Sequence, residues 1–502
     1  MFVRSFARSL VLVSAVVVAA PAFAQRDGGP VGGPQAREVP AFAPGSMWVK
    51  LDEVVPAAHD ATMRMVRALA GAETTKTFWL VPGLHLVRVP VGSERAMVSL
   101  VRELEGVAWT SVEGVGGLIQ AGMCEQPGRV PEDAHASDQY WLDTINLRDA
   151  WARIEGEQLT AITVAVIDSG VNYNHPELVN NMWVNPDEIA QNAVDDDLNG
   201  IIDDIHGAAF ISMPFVLEPC DLTFSTCAWN AVLCASCQPG TGDPQDAVQD
   251  VSQTFLGNQT CVDYTATGDG QHGTACAAII ASAANEKAIR GFSCNINIMA
   301  IRLFARCFDD YPFTESSYID GIQYAAGEGA SVISNSVQLL SGTGLALQNA
   351  IKNVAYQDIV FVIGAGNEAA NVDDPNHPNA ANVFPPQRFN GDHVLHVGAS
   401  DLQDDAAAFS NWGASTVDLF APGVDIRVYD NTGVFPYSGF VSGTSFSTPM
   451  VSGAVAVYRS LNPSVSAADV VARVKQTSRP VPALNSLCES GGILNVDALI
   501  AP

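Results

Sequence analysis

The chain has 502 residues, 48% of them hydrophobic, and a formal net charge of −29 with only 25 Lys and Arg. So few cations argue against a nucleic-acid or anionic-membrane partner, and favour solubility and cation binding. The apolar fraction supports a large core and more than one domain.

The first residues read MFVRSFARSLVLVSAVVVAAPAFAQ. Arg4 and Arg8 precede an apolar run from Leu10 to Ala20, and Ala22-Phe23-Ala24 carries small residues where a signal peptidase needs them. The run is too short to span a bilayer, so residues 1–24 are expected to be a cleaved secretory signal, with the product secreted (extracellular or periplasmic). Residues 25–45, rich in Gly, Pro and Ala, form a flexible lead-in. Over 46–121 the signals alternate. Trp48–Leu51 is extended, Ala57–Ala70 helical, Phe78–Val81 with Leu84–Val91 a strand pair, Ser93–Glu105 helical and Val107–Val112 extended. This β-α-β-β-α-β order predicts a small α+β, ferredoxin-like unit. A polar, Pro-containing linker follows at 122–137.

From Asp138 the pattern becomes buried strands alternating with helices. The apolar strand Ile162–Ile167 ends in Asp168-Ser169-Gly170. Further strands are expected at Ile296–Leu303, Val332–Asn335, Ile359–Ile363 and Val394–Val397, with helices at Tyr318–Gly327 and Thr343–Gln357. The fold class is therefore α/β, a mostly parallel central sheet flanked by helices over 138–502. Function in such sheets sits just past the strand ends.

Between the first strands lies DDDLNGIIDD, 195–204. Asp195, Asp197, Asn199 and Gly200 fit positions one, three, five and six of an EF-hand loop, and Ile201 and Asp203 complete the candidate ligand set. Position twelve is His206 rather than Glu, and a solvated Asx-rich turn is the alternative. An insertion at about 206–268 holds Cys220, Cys227, Cys234, Cys237 and Cys261. Without a second CxxC or a spaced His, it reads as a disulfide-stapled loop rather than a zinc site.

Three motifs then carry chemistry. Asp168 at a buried strand end is costly unless hydrogen-bonded, which is what an orienting acid requires. His272 opens a helix of small residues in GDGQHGTACAAIIA, and Ser445 stands at a helix start in VSGTSFSTPMVSGAVA. Pro449, read as first-turn, would be tolerated because first-turn N–H groups have no helical partner. Each motif alone is a turn or a cap, but the order Asp, His, Ser on an α/β pattern fits one known triad template.

From about Asp138 the chain resembles the subtilisin family (subtilases), through VIDSG at 166–170, HGT at 272–274, GAGN at 364–367 and SGTSFSTP at 442–449. Residues 46–121 are similar to that family's inhibitor-type propeptide, which implies an intramolecular chaperone and inhibitor. The resemblance implies a secreted serine endopeptidase, autoprocessed from a prepro-enzyme and acting on protein or peptide substrates. It assigns Asp168, His272 and Ser445 to the triad, and Asn367 to the oxyanion donor. Ser336, Val337, Gln338, Gly366 and Glu368 fall at the substrate groove. A structural Ca²⁺ at the acidic loop is also implied, with no organic cofactor and a monomeric enzyme. Gln338, where many members have Gly, and Glu368 put the family's apolar preference in doubt.

Ala275 replaces a common second His, and Cys276 shares a helix face with His272, as in some members. It is expected to be an unpaired thiol sensitive to mercury. Setting aside Cys276 and Cys124 leaves eight of the ten cysteines for four disulfides of undetermined pairing. Two alternatives stand: a catalytically silent binding module of this fold, or a peptide ligase using the same acyl-enzyme.

Overall fold

A computed structural model describes residues 43, 46–51, 62–68, 74–102, 104, 107–113, 115–118, 138–189, 194–210, 272–283, 289–293, 295–303, 313–429 and 438–502. All belong to one unit of the chain, Val39–Pro502. The expected signal segment, nearly all of the lead-in, the linker at 122–137 and the Cys-rich insertion from 211 lie outside the described residues.

The N-terminal elements are β1 (Ser46–Leu51), α1 (residues 62–68), β2 (Thr74–Thr77), β3 (Leu84–Arg88), α2 (Glu94–Arg102) and β4 (Val107–Val112). The strands form an antiparallel sheet in the order β2-β3-β1-β4, the arrangement expected of a split β-α-β unit. Strand period sorts β1 onto two faces. Met47, Val49 and Leu51 pack with Val66, Val87 and Val101, while Trp48 turns to the larger domain. The second strand is displaced from its expected place: Thr74–Thr77 is extended and residues 78–83 turn. Phe78, Leu80 and Val81 are apolar because they are buried against the larger domain, not because they alternate in a sheet.

Next in order come β5 (Val115–Leu118), β6 (Ile162–Asp168), β7 (Gly207–Ala209), α3 (His272–Ala281), β8 (Ile296–Arg302), β9 (Phe313–Thr314), α4 (Glu315–Gly327), β10 (Val332–Asn335), β11 (Val337–Leu339) and α5 (Leu345–Val354). They are followed by β12 (Val360–Gly364), β13 (Val394–Ser400), β14 (Leu419–Pro422), a hairpin of β15 (Ile426–Tyr429) and β16 (Ser438–Val441), α6 (Thr444–Leu461), β17 (Arg479–Pro480) and β18 (Gly492–Ile493). Nine strands make one sheet, β17-β18-β14-β13-β12-β10-β6-β8-β7, parallel except for the β17–β18 pair. Its inner strands are buried on both faces, which is why they read as unbroken apolar runs. One core, containing Val164, Val362, Val397 and the buried residues of α3 and α6, fills one face. A second, with Ile167, Ile333 and residues of α4 and α5, fills the other.

The small sheet docks on α4 and α5 through polar anchors as well as apolar side chains. Trp48 Nε1 donates to Glu315 Oε2 at 2.9 Å, and the Leu347 N–H donates to Glu315 Oε1 at 3.0 Å. Glu113 accepts the Ser316 N–H at 3.0 Å, at the start of α4, where a negative charge meets the helix dipole. Lys76 pairs with Asp320. Burial pushes the Asp320 carboxyl up to about 6, against the opposing pull of Lys76. Undocked and hydrated, that carboxyl titrates in the ordinary range. A group raised by docking stabilises the docked state at low pH, and that contribution fades as pH rises through about 6. Amides of β2 and β3 should therefore exchange faster at pH 8 than at pH 5, after correction for intrinsic rates. Asp320→Asn should flatten that dependence.

Candidate active site

The site is assembled at the C-terminal ends of parallel strands. Asp168 closes β6 and is 1% exposed, and its carboxylate lies 2.7 and 2.9 Å from His272 Nδ1. The Ser169 N–H donates to Asp168 Oδ1 at 2.7 Å, and the Ser169 hydroxyl accepts the Gly273 N–H at 3.0 Å. These bonds tie the strand end to the first turn of α3. Position 273 admits no side chain, because a Cβ there would stand 2.1 Å from the Gly170 carbonyl oxygen. Glycine is what lets α3 approach closely enough to present His272 to Asp168. With its Nδ1 facing a carboxylate, His272 carries its proton there in the neutral state and leaves Nε2 basic.

Ser445 is the second residue of α6 and is fully buried, and the neighbouring Phe446 ring packs against the His272 ring at 5.3 Å between centroids. Pro449 is not in the first turn, as expected, but the sixth residue of the helix. Its missing N–H is the one that would have bonded the carbonyl four residues back, that of Ser445. That carbonyl instead accepts the Ser336 hydroxyl at 3.0 Å and the Cys276 thiol at 3.4 Å. The proline thus frees the Ser445 carbonyl, and side chains from β10–β11 and α3 hold it. Cys276 also lies 3.9 Å from His272 Nδ1, so one buried sulfur touches both His272 and the Ser445 backbone.

Asn367 follows β12. Its Oδ1 accepts both the Thr444 N–H at 3.0 Å and the Thr444 hydroxyl at 3.1 Å, which fixes the amide orientation. Its Nδ2 is buried and has no hydrogen-bond partner. Gly366 takes φ +101°, and a Cβ there would meet Asn411 Nδ2 at 2.4 Å and Glu368 Oε2 at 2.5 Å. Glu368 accepts Gln338 Nε2 at 3.2 Å and Asn411 Nδ2 at 2.6 Å, and burial raises its pKa against those two hydrogen bonds. Val337 is buried, and its strand is an edge on which Val115–Leu118 lies antiparallel: Val337 opposite Leu118, Gln338 opposite Gly117, Leu339 opposite Gly116. On its other side β5 pairs with Phe313–Thr314. An extended segment of this same chain therefore lies between two strands beside Ser445. Thr444, which orients the Asn367 amide, lies within SGTSFSTP without its role being legible there, and Asn411, which holds Glu368, carries no signal in the sequence.

The acidic loop converges differently from the EF-hand template. Glu188, Asp197 and Asp204 place carboxylate oxygens within 4.8 Å of one another. Asp195 accepts the Asn199 and Gly200 N–H groups and shapes the turn. Asn199 Nδ2 donates to Asp197 and Asp204 at 2.9 Å each, the Ile201 N–H is taken up by Asn199 Oδ1, and Asp203 adopts φ +54° outside the group. Asp204 is fully buried with its pKa raised by desolvation, and Glu188 Oε2 is buried with no hydrogen-bond partner. Glu188 precedes the DDDLNG run, and the loop template selects Asp203 at position nine, whereas folding turns the next residue, Asp204, into the group.

Cys488 corrects the expectation of eight paired cysteines. It is a free thiol, 2% exposed, set among the Leu484 and Gly492 carbonyls, and burial pushes its pKa up. Cys276 is a buried thiol outside any disulfide, as expected. The other eight cysteines lie outside the described residues.

A buried Asp–His pair against the first turn of the helix that bears Ser445, on a parallel sheet in this strand order, places the chain in the subtilisin-like class of α/β folds. Residues 160–491 match the model of the subtilase family, and the chain belongs to that family. It is 25% identical over 437 residues to an extracellular protease of Xanthomonas campestris pv. campestris, which covers 83% of this chain and 64% of that one. It is 30% identical over 237 residues to subtilisin DY of Bacillus licheniformis, covering 47% of this chain and 79% of that one. Fervidolysin from Fervidobacterium pennivorans, a keratinolytic enzyme related to subtilisin, shares the fold at a TM-score of 0.63 and 18% identity, over 92% of this chain and 61% of that one. The chain thus spans less than two thirds of the Xanthomonas protease and of fervidolysin. Among the described residues no helix is long and apolar enough to cross a membrane.

Thiol titration checks the buried cysteines. In guanidinium without reductant, Cys276→Ser and Cys488→Ser should each lower the thiol count by one. Neither substitution should change the count of rapidly reacting thiols in the native protein.

Proposed function

We propose that this subtilase is a secreted serine endopeptidase, made with an inhibitory N-terminal segment that it removes itself. The observation that carries the reading is the buried Asp168–His272 pair, with hydrogen bonds of 2.7 and 2.9 Å, set against the start of the helix that bears Ser445. His272 takes the hydroxyl proton as Ser445 Oγ attacks a peptide carbonyl, and Asp168 stabilises the imidazolium that forms. The tetrahedral oxyanion receives the Ser445 N–H, the positive end of α6 and the unmet Nδ2 of Asn367. His272 then gives its proton to the leaving amine as the C–N bond breaks, leaving an acyl-serine. Water, deprotonated by His272, releases the acid and restores Ser445. Protein and peptide substrates follow from this chemistry.

Residues 46–121 act as propeptide in this reading. Their last strand occupies the β11 edge where a substrate backbone would pair, and the small sheet covers α4 and α5. The same contacts suit a folding template, and nothing in them requires a second copy of the chain.

Calcium stabilises the acidic loop in this reading. Three converging carboxylates, one with a buried unpartnered oxygen, form a hard oxygen set of the kind calcium takes. Glu188, Asp197 and Asp204 would hold the ion, and its charge would offset their mutual repulsion.

Expression of the chain from Gln25 beside Ser445→Ala tests the whole reading through N-terminal sequencing and casein hydrolysis. The wild type should shed roughly its first hundred residues and cleave casein, whereas Ser445→Ala should do neither. Asp168→Asn should lower kcat by about 10⁴, through the wrong His272 tautomer. Asn367→Ala should lower it by about 10²–10³, the scale known for this donor in subtilisin. Intact casein with fully processed wild type would sink the peptidase reading. For calcium, chelation should lower the thermal midpoint; about 2.7 kcal/mol is at stake with calcium at 100-fold its Kd. Asp204→Asn should abolish the shift.

A further inference from the structure

A cavity of about 410 Å³ lies away from the triad, where the end of α3 meets the helix Leu147–Ile154. Ser282 on its wall is ten residues beyond His272, which puts it about 15 Å along the helix from the triad histidine. Trp151, Ile154, Leu159 and Phe292 make most of the lining apolar. The Ser282 hydroxyl is the exception. Ser282 is 4% exposed, and its Oγ is buried without a hydrogen-bond partner. A hydroxyl left dry in this way is costly until a polar group enters beside it.

Bonds within the protein hold these walls in place. The Ser282 carbonyl accepts the Gly291 N–H at 3.1 Å, and a Cβ at 291 would stand 2.4 Å from the Ser282 nitrogen, so only glycine lets the two segments close on each other. Trp151 Nε1 donates to the Phe292 carbonyl at 2.8 Å. The Gln139 amide grips the Arg290 backbone twice, donating to its carbonyl at 3.1 Å and accepting its N–H at 2.9 Å. The Arg290 guanidinium then sits over the Trp151 ring, 4.0 Å from its centroid, and forms no ion pair among the described residues.

This lining selects a ligand. Apolar walls with one buried polar group suit a small body of carbon that carries a polar end. A guanidinium stacked on an indole matches a carboxylate, which it can hold with two N–H groups. Glu155, exposed on the same rim, opposes a second negative charge. We propose that this cavity binds a small apolar monocarboxylate, with its body among Trp151, Ile154, Leu159 and Phe292 and its carboxylate against Arg290 and the Ser282 hydroxyl. Free aliphatic or aromatic acids have that chemistry, and so does the C-terminal residue of a peptide, which peptide hydrolysis leaves behind. The site stands whether or not Ser445 is a nucleophile.

The test uses the chain from Gln25 carrying Ser445→Ala, so that no probe is consumed, and follows binding by ligand-detected NMR titration. The probes are 4-phenylbutyrate, N-acetylphenylalanine and the primary amide of each. Both acids should bind saturably with a Kd of about 1 mM or tighter, and the amides at least about tenfold more weakly. Arg290→Gln should weaken the acids at least about tenfold and leave the amides unchanged, which also shows that the cavity persists in that variant. Arg290→Lys, which keeps the charge but not the fork, should recover part of the loss. Tighter binding of N-acetylphenylalanine supports the site and points to a peptide C-terminus as its source; tighter binding of 4-phenylbutyrate supports it and points to a free acid. No saturable binding of either acid overturns the inference, as does equal affinity for acid and amide. Acid affinity unchanged in Arg290→Gln overturns it as well.

Discussion

The N-terminus of α6 is buried, and most of the site follows from the need to satisfy it there. A helix start presents N–H groups without helical partners, and inside a protein each must find one or remain aimed at a ligand. The Thr444 N–H goes to the Asn367 amide, and the Thr444 hydroxyl bridges Asn367 and Gly366. Pro449 adds a second demand, because it strips the Ser445 carbonyl of its helical donor, and Ser336 and Cys276 meet it. A serine held this way cannot shift without breaking bonds to Ser336, Cys276 and Asn367. Rigidity of this kind suits the proposed oxyanion role, since a preorganised donor costs no reorganisation during reaction.

The same logic explains why the small N-terminal sheet and the large domain form one packed body. Trp48, Phe78, Leu80 and Leu84 belong to the core that also contains Ile167 and Ile333, so the apolar surface of α4 and α5 is covered by the small sheet. Carboxylates at helix starts, Glu113 and Glu315, give the contact its register. β5 continues from this unit onto the β11 edge, and edge pairing needs only backbone groups.

Buried oxygen acceptors without a cation recur at two places in the described residues. Glu188 Oε2 and Asp204 in the acidic loop, and Gln338 Oε1 beside Glu368, are oxygens withdrawn from water without a matching cation. A chain with 54 acidic residues against 25 basic ones has few cations of its own to spend on them.

Much of the architecture was legible in the residues themselves. Unbroken apolar runs mark strands buried on both faces, so β6, β8, β10, β12 and β13 fall within a residue or a few of their expected places. Asp168, His272 and Ser445 each stand within two residues of a glycine, and at 273 close backbone approach to Gly170 demands it. What the sequence left undecided is what depends on partners distant in the chain. Phe78–Val81 has strand composition but serves as an interface, and Cys488 looked available for pairing but is enclosed as a thiol. The loop template favours Asp203 over Asp204, yet Asp204 is the one turned inward, to Asn185 and Tyr324. Gln338 and Glu368 are thirty positions apart and carry no mutual signal, yet folding joins them. Periodicity and turn chemistry are local and survive in one dimension. The partner of a buried polar atom is set by sheet order and helix docking, which exist only in three.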